Sequence, residues 1–165
     1  MKHDGEAFEA DIPPEILAIL GDATAPHSQP EQAEQAIAVA LQRAPDNLGL
    51  RIVAYGFYFY NNRLDEAIPH AEACLALAAD TLGLPCDWRS VGAESTDFGV
   101  LEQPQRVYLK SLVALGYCRA RLGDLEAGEA LLRKAASLDP QNQLGAAALA
   151  DLVARRGIDD EDAES

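Results

Sequence analysis

The spacing of apolar residues predicts a chain built from helices. Over most of the sequence, apolar residues recur three and four positions apart, which is the spacing of one face of an α-helix. Short polar stretches interrupt this pattern at 25–30 ("APHSQP"), 61–63 ("NNR") and 121–124 ("RLGD"). Each interruption is typical of a turn between two amphipathic helices. The sequence therefore predicts an all-α fold made of helical hairpins.

The predicted hairpins follow an internal repeat. Three parts of the chain have similar ends, which are "ALQRAPDN" at 40–47, "CLALAADT" at 74–81 and "AASLDPQN" at 135–142. Aligning these ends defines three units, at 14–47, 48–81 and 109–142. The second unit follows the first by 34 residues and the third follows the second by 61, which is 34 plus an insertion of 27. Residues 82–108 are therefore predicted to be an insertion between two repeats.

The segments outside the units complete a single predicted domain over 14–157. Residues 143–157 ("QLGAAALADLVARRG") have helical spacing, and a repeat array needs such an element to cover its last apolar face. We therefore predict a capping helix there. Residues 1–13 are interpreted as an N-terminal extension, and the charge run at 158–165 predicts a disordered acidic tail.

A 34-residue helix–turn–helix repeat with small residues at fixed points resembles the tetratricopeptide repeat (TPR) family. The residues that carry the resemblance in the first and second units are Leu17, Leu20, Gly21, Ala33, Ala40, Leu41, Pro45, Tyr58, Leu64, Ala67, Cys74 and Leu75. Those of the third unit, which matches best, are Leu112, Leu115, Gly116, Gly123, Leu125, Ala135 and Pro140. The resemblance implies a helical-hairpin solenoid of three repeats plus the capping helix.

Three positions depart from the family's pattern. Arg119 stands in place of the usual Tyr, Gly128 in place of an Ala at the closest helix approach, and Ala79 in place of a closing Pro. Gly128 is expected to be mild, because the position needs only a small side chain, although Gly costs about 1 kcal/mol of helix propensity relative to Ala. Without a Pro at 79, the second unit's last helix is expected to continue to about Leu84, before Pro85.

The resemblance also implies a concave groove, lined by the first helix of each unit, that receives a peptide or a partner helix. Carried over by position, the main groove residues are Ile52, Gly56, Phe59, Tyr60, Lys110, Val113, Tyr117 and Arg121, with Glu15, Ala18 and Asp22 from the first unit. Helical spacing independently places each set of four on one stripe. The alternative is that Phe59 and Tyr60 pack beneath the insertion and face no partner.

The aromatic residues of the second unit divide between the core and this groove. Five of the chain's nine Phe and Tyr residues lie within 55–60. In the repeat frame Tyr55, Phe57 and Tyr58 are expected to point inward, which leaves Phe59 and Tyr60 for the groove.

Charge adds an expectation about the partner. The net charge is -14, yet residues 106–142 carry 6 basic against 4 acidic side chains. Lys110 and Arg121 are therefore expected to orient an acidic group. TPR proteins that clamp the carboxylate tail of chaperone partners also use Lys and Asn at positions where this chain has Ala18, Asp22 and Gly56, so that clamp is incomplete.

The insertion contains the chain's one Trp, Trp88, together with Phe98. A loop of this length inside a compact domain is usually functional or disordered, and its apolar residues favour an ordered flap across the groove. The alternative is a loop packed on the convex side.

Composition narrows the classes of function. The acidic balance opposes nucleic-acid binding, and the sequence has neither a long apolar run nor the basic-then-apolar start of a signal peptide, which predicts a cytoplasmic protein with no membrane segment. Three cysteines without CxxC spacing predict no disulfide framework. We predict no cofactor and no metal, since His70 and Cys74, four apart on a helix, lack a third ligand.

The favoured function is non-enzymatic protein binding, by a scaffold or accessory factor for complex assembly. The chain resembles small bacterial TPR proteins with an aromatic second unit, some of which lie in nitrogen-fixation gene neighbourhoods. One alternative is a small TPR chaperone for a secreted substrate. Another is an enzyme that uses His70, Cys86 or Asp87. The sequence leaves the oligomeric state and the partner open.

Overall fold

The fold is entirely helical over the residues that the structure describes. The structure is a computed structural model that describes residues 12–21, 29–100 and 102–164, with side chains as far as Arg156. Its seven helices are α1 Pro14–Leu20, α2 Pro30–Arg43, α3 Leu48–Tyr60, α4 Leu64–Leu82, α5 Gln103–Arg121, α6 Leu125–Leu138 and α7 Ala146–Glu164. These ranges contain no strand, and a short 3-10 turn spans Trp88–Ser90. The predicted all-α fold is confirmed.

The chain divides into two compact units, 1–73 and 74–165, with the division inside α4. The single domain over 14–157 stays a prediction. Each unit has its own buried residues and is described separately below.

The first unit packs α1 on α2 and α2 on α3. Pro14 and Pro30 lie in the first turns of α1 and α2, where a helix does not need the missing N–H. Asn47 caps α3 by accepting a hydrogen bond from the Leu50 amide at 2.9 Å. The core cluster of this unit is formed by Ile12, Ile16, Leu20, Ile37, Ala40, Leu50 and Ala54.

The second unit packs α5 on α6 and α6 on α7. Asp124 caps α6 by accepting from the Ala127 amide at 3.2 Å. The largest fully buried side chains here belong mainly to these helices and to the insertion, namely Val91, Tyr108, Leu109, Leu112, Cys118, Leu132 and Leu138.

The turns after α3 and α5 have the same geometry. The Arg63 amide donates to the Tyr58 carbonyl at 2.8 Å, and the Asp124 amide donates to the Arg119 carbonyl at 2.9 Å. The residue before each donor, Asn62 or Gly123, has a positive φ, of 59° or 99°. This is the Schellman motif, which needs a left-handed residue that Gly and Asn adopt most easily. The two turns are 61 residues apart, the same spacing as the aligned repeats.

Two helix ends differ from their predicted positions. Helix α4 continues past Ala79, as predicted, and ends at Leu82, two residues before the predicted end, because Gly83 adopts a φ of 68° and the Leu84 amide donates to the Ala79 carbonyl. Helix α7 begins at Ala146, after Gly145 at a φ of 67°, and its backbone stays helical to Glu164. A helix over this stretch differs from the predicted disordered tail; Gly157 weakens a helix but does not break it, and no Pro follows.

The N-terminal extension as far as residue 11 and the residues 22–28, which include Asp22 and most of the first turn, lie outside the described residues.

Helices α5 and α6 approach each other through glycine on both sides. A Cβ added at Gly128 would lie 2.8 Å from the Gly116 carbonyl oxygen and 2.9 Å from the Ala120 Cβ. A Cβ added at Gly116 would lie 3.0 Å from the Gly128 carbonyl oxygen. The expectation that Gly128 is a mild exchange for Ala was wrong for this pair of helices, because backbone atoms fill the space that an Ala methyl group would need.

Candidate functional site

Helix α3 carries an aromatic side that is open to solvent at one end. Three rings follow one another along it: Tyr55 stacks on Phe59 with centroids 5.5 Å apart, and Phe59 meets Tyr60 edge-on at 5.4 Å. Tyr60 is 86% exposed, whereas Tyr55 and Phe59 are half-buried. Because Tyr55 and Phe59 lie four residues apart, the helix itself brings their rings together. Tyr55, expected to point inward, thus belongs to the same ring series as the two predicted groove residues.

Gly56 leaves space on α3. Among described atoms outside its own helix backbone and chain neighbours, none lies within 4 Å of a Cβ placed at Gly56. Ile52, one turn earlier, is half-buried. The four residues predicted for this side of α3 therefore include one ring that is 86% exposed and one position where an added Cβ has no described neighbour within 4 Å.

Tyr58 is held by a polar network inside the first unit. Its hydroxyl donates to Glu34 at 2.8 Å, and its ring stacks on His70 at 5.4 Å with an interplanar angle of 3°. Arg63 binds Glu34 through both terminal nitrogens, at 3.1 and 2.8 Å, and also binds Glu66. These contacts, led by the Arg63 hydrogen bonds, lower the pKa of Glu34, while burial and the Glu34 carboxylate raise the pKa of Tyr58 to about 12. Tyr58 thus joins α2 to α3 and α4.

His70 completes the same network. Its Nδ1 lies 3.1 Å from Nη1 of Arg51, whose Nε donates to the Pro45 carbonyl at 2.7 Å. Burial lowers the pKa of His70, and the Arg51 charge lowers it further. The ring is therefore occupied by stacking and by Arg51.

The residues considered for metal binding or catalysis have structural surroundings. Cys74 is buried, and among the described residues no group of three or more His, Cys, Asp and Glu side chains is placed to hold a metal ion. Cys86 is an exposed thiol. Asp87 caps the 3-10 turn by accepting from the Arg89 amide at 3.0 Å. Cys74 therefore belongs to the core and Asp87 to a helix cap, whereas Cys86 lies at the surface.

Helix α5 presents the second set of predicted residues. Lys110 and Arg121 are exposed, and Val113 and Tyr117 are half-buried. Arg121 donates from Nη1 to the Tyr117 hydroxyl at 2.6 Å, and its guanidinium carbon lies 5.6 Å from the centre of that ring. This contact fixes a cation beside an aromatic ring at the C-terminal end of α5.

Tyr117 and Arg121 border an apolar pocket of about 150 Å³ between α5, α6 and α7. Its lining residues are Tyr117, Ala120, Arg121, Leu125, Leu132, Leu149, Leu152, Val153 and Arg156. Most of the lining surface is apolar, and the exposed side chains of Arg121 and Arg156 provide its two charges. Lys110 and Val113, although predicted for the same stripe, do not line it.

The contribution of α7 to this pocket was missed from sequence. Residues 143–157 were predicted only as a capping helix that covers the last apolar face of the repeats. Leu149, Leu152, Val153 and Arg156 stand at helical spacing of three, four and seven residues, so the signal was present. Arg156 was not recognised as part of this stripe, because an Arg near the end of a helix is also typical of a helix C-terminus.

The insertion packs within the second unit. Phe98 is only 3% exposed and its ring lies 6.0 Å from that of Tyr108, while Trp88 is half-buried with Arg89 over its ring at 4.4 Å. Lys134 of α6 donates from Nζ to the Val91 carbonyl at 2.8 Å and to the Arg89 carbonyl at 3.2 Å. Phe98 thus serves as a core residue that ties the insertion to α5, and Lys134 ties it to α6.

Comparisons with known proteins identify the repeat. The profile of the family described as "Tetratricopeptide repeat" matches residues 109–142, the same residues as the third predicted unit. The chain is also 34% identical over 133 residues to the "Uncharacterized 19.8 kDa protein in nifW 5'region" of Azotobacter chroococcum mcd 1, and the match covers 77% of this chain and 72% of that relative. No solved structure matches the chain. Within the described residues, no helix combines the length and the apolar character needed to cross a membrane. With its helical hairpins, its paired turns and this match, the chain belongs to the tetratricopeptide repeat family.

Proposed function

We propose that this protein is a non-enzymatic protein-interaction module that binds a peptide or helix of a partner, with one contact surface on the exposed side of α5 and a separate one on the exposed side of α3. The observation that carries the proposal is the pocket beside Tyr117 and Arg121, where an apolar lining and two guanidinium groups remain open. Aromatic rings and Arg side chains supply most of the binding energy in protein interfaces. The exposed ring of Tyr60 and the open space at Gly56 support a second contact surface on α3.

Within this class we propose an accessory role in the assembly of a larger complex. The name of the Azotobacter chroococcum mcd 1 relative places its gene in the 5′ region of nifW. A gene at such a place supports a role beside neighbouring gene products, as in the nitrogen-fixation neighbourhoods noted above. Cys86 is an exposed thiol, which supports work in a reducing compartment, and we assign the protein to the cytoplasm.

Affinity capture from the native cytoplasm, followed by mass spectrometry, tests the proposal. The wild-type chain is expected to retain one or a few proteins reproducibly, and the double variant Phe59→Ala with Tyr117→Ala is expected to lose them. Circular dichroism checks that helical content is unchanged. Capture that is equal for both proteins would contradict the proposed surfaces.

The identity of the captured protein also distinguishes the accessory role from a chaperone role. A subunit or maturation factor of a complex supports the accessory role. An exported protein, held before secretion, would instead assign the chain to the TPR chaperones.

A further inference from the structure

The pocket between α5, α6 and α7 is small, apolar and bordered by cations. Its volume of about 150 Å³ is that of an apolar cavity which holds one benzene molecule. Leu125 and Leu132 of α6 line it together with Leu149, Leu152 and Val153 of α7. One phenyl-sized side chain therefore fills it.

The lining is incompletely covered. Leu152 of α7 lines the pocket, and its side chain is 57% exposed to solvent. A leucine held this open gains free energy when a second apolar group covers it. The exposure thus lies at the place where an incoming side chain would pack.

The two arginines at the rim of the pocket favour acidic residues next to the side chain that enters it. Arg121 is fixed by its 2.6 Å hydrogen bond to Tyr117, and Arg156 follows Val153 by three residues on α7. Two guanidinium groups beside an apolar pocket attract carboxylates and repel basic residues. Arg121 belongs to the segment 106–142, which carries 6 basic against 4 acidic side chains, whereas Arg156 belongs to the segment 143–165, which carries 2 against 6.

We infer that this pocket receives a single Phe side chain of a partner segment in which Asp or Glu residues flank the Phe, with Arg121 and Arg156 binding the flanking carboxylates. The inference rests on the proposed protein-binding function and names the chemistry of the partner at this pocket. The apolar side chain supplies affinity, and the two arginines supply selectivity for acidic sequence.

Titration of the ¹⁵N-labelled full chain with three short, terminally blocked peptides tests the inference by NMR. The first peptide has a central Phe between glutamates, the second replaces this Phe by Ala, and the third replaces the glutamates by lysines. The first is expected to shift the amides of Leu149, Leu152 and Val153. The other two are expected to bind at least about tenfold more weakly.

Matched variants then separate charge from packing. Arg121→Gln with Arg156→Gln is expected to weaken the acidic Phe peptide about fivefold and to remove most of the salt dependence of its binding. Arg155→Gln removes an equally exposed neighbouring charge that does not line the pocket, and it is expected to leave binding within about twofold. These changes replace exposed side chains, so the fold is retained.

Several outcomes would overturn the inference. They are equal binding of the acidic and basic peptides, shifts confined to other helices, and no shift with the acidic Phe peptide. Shifts of the pocket amides with protein concentration alone would assign the pocket to a second copy of this chain and would likewise overturn it. If partner capture remains sensitive to Phe59→Ala while the peptides fail, the proposed function stands and only this inference is lost.

Discussion

Arg51 and His70 are joined by a hydrogen bond of 3.1 Å between Nη1 and Nδ1. Since a guanidinium only donates, Nδ1 of His70 is the acceptor and carries no proton. The contact links α3 to α4 next to the stacked rings of Tyr58 and His70. Protonation of the ring would replace this bond by repulsion between two cations.

Stability is therefore expected to fall when the pH is lowered through the titration of His70. The folded pKa lies below the ordinary value of 6.5, so the unfolded ring takes up a proton at a higher pH than the folded ring. Stability is complete above about pH 6.5 and is lost progressively as the pH falls toward the folded pKa. Urea unfolding between about pH 7.5 and 5.5 measures the loss.

The variant His70→Gln provides the control for this pH dependence. It lacks the titrating ring, so its stability is expected to change much less over the same interval. Equal pH dependence in both proteins would show that His70 does not cause it.

Substitution of Gly116 or Gly128 by Ala is expected to destabilise the second unit by about 1–3 kcal/mol, the usual cost of overpacking. The new methyl group would meet backbone atoms at 3.0 Å or less. Gly56→Ala is the matched control, because it adds the same methyl group to a helix where described neighbours leave room. It is expected to stabilise the protein by about 0.5–1 kcal/mol. Urea unfolding of the three variants checks the opposite signs, and a stabilised Gly128→Ala variant would contradict the close approach.

Lys134 is expected to hold the insertion against α6. Lys134→Met keeps the aliphatic stem but removes the donor to the Arg89 and Val91 carbonyls, so amide exchange over 86–98 should become faster. The accompanying loss of stability is expected to be about 1 kcal/mol.

Arg133→Gln is the control for Lys134→Met, since Arg133 pairs with Glu129 and Asp151 rather than with the insertion. Hydrogen exchange measured by mass spectrometry compares the two variants. Similar exchange over 86–98 in both would mean that Lys134 does not anchor the segment.

The sequence predicted the helices and their turns well, because both depend on local signals. Apolar spacing and the residues Asn62 and Gly123 placed the hairpin turns after α3 and α5 correctly. The sequence did not predict the close approach of α5 and α6 at Gly128, because this approach depends on the distance between two helix backbones and not on the helix propensity of one residue. The burial of Phe98 had no local signal either, since its partner Tyr108 belongs to helix α5, ten residues later in the chain.

Two of the nine residues that line the pocket could be foreseen as binding residues. Tyr117 and Arg121 stood at positions that the family resemblance marks for binding. Leu149 and Val153 joined them only through the packing of α7 beside α5 and α6, which the helix pattern alone does not specify.

Isothermal titration calorimetry of the purified captured partner with wild-type, Gly56→Ala and Gly56→Trp proteins shows whether the exposed side of α3 binds that partner. A Cβ at position 56 has no described neighbour within 4 Å outside its own helix backbone, so a Trp there enlarges the proposed contact surface of α3. We expect Gly56→Ala to bind like the wild type and Gly56→Trp to bind at least about tenfold more weakly, with undiminished thermal stability. Unchanged affinity of Gly56→Trp would contradict binding through the exposed side of α3.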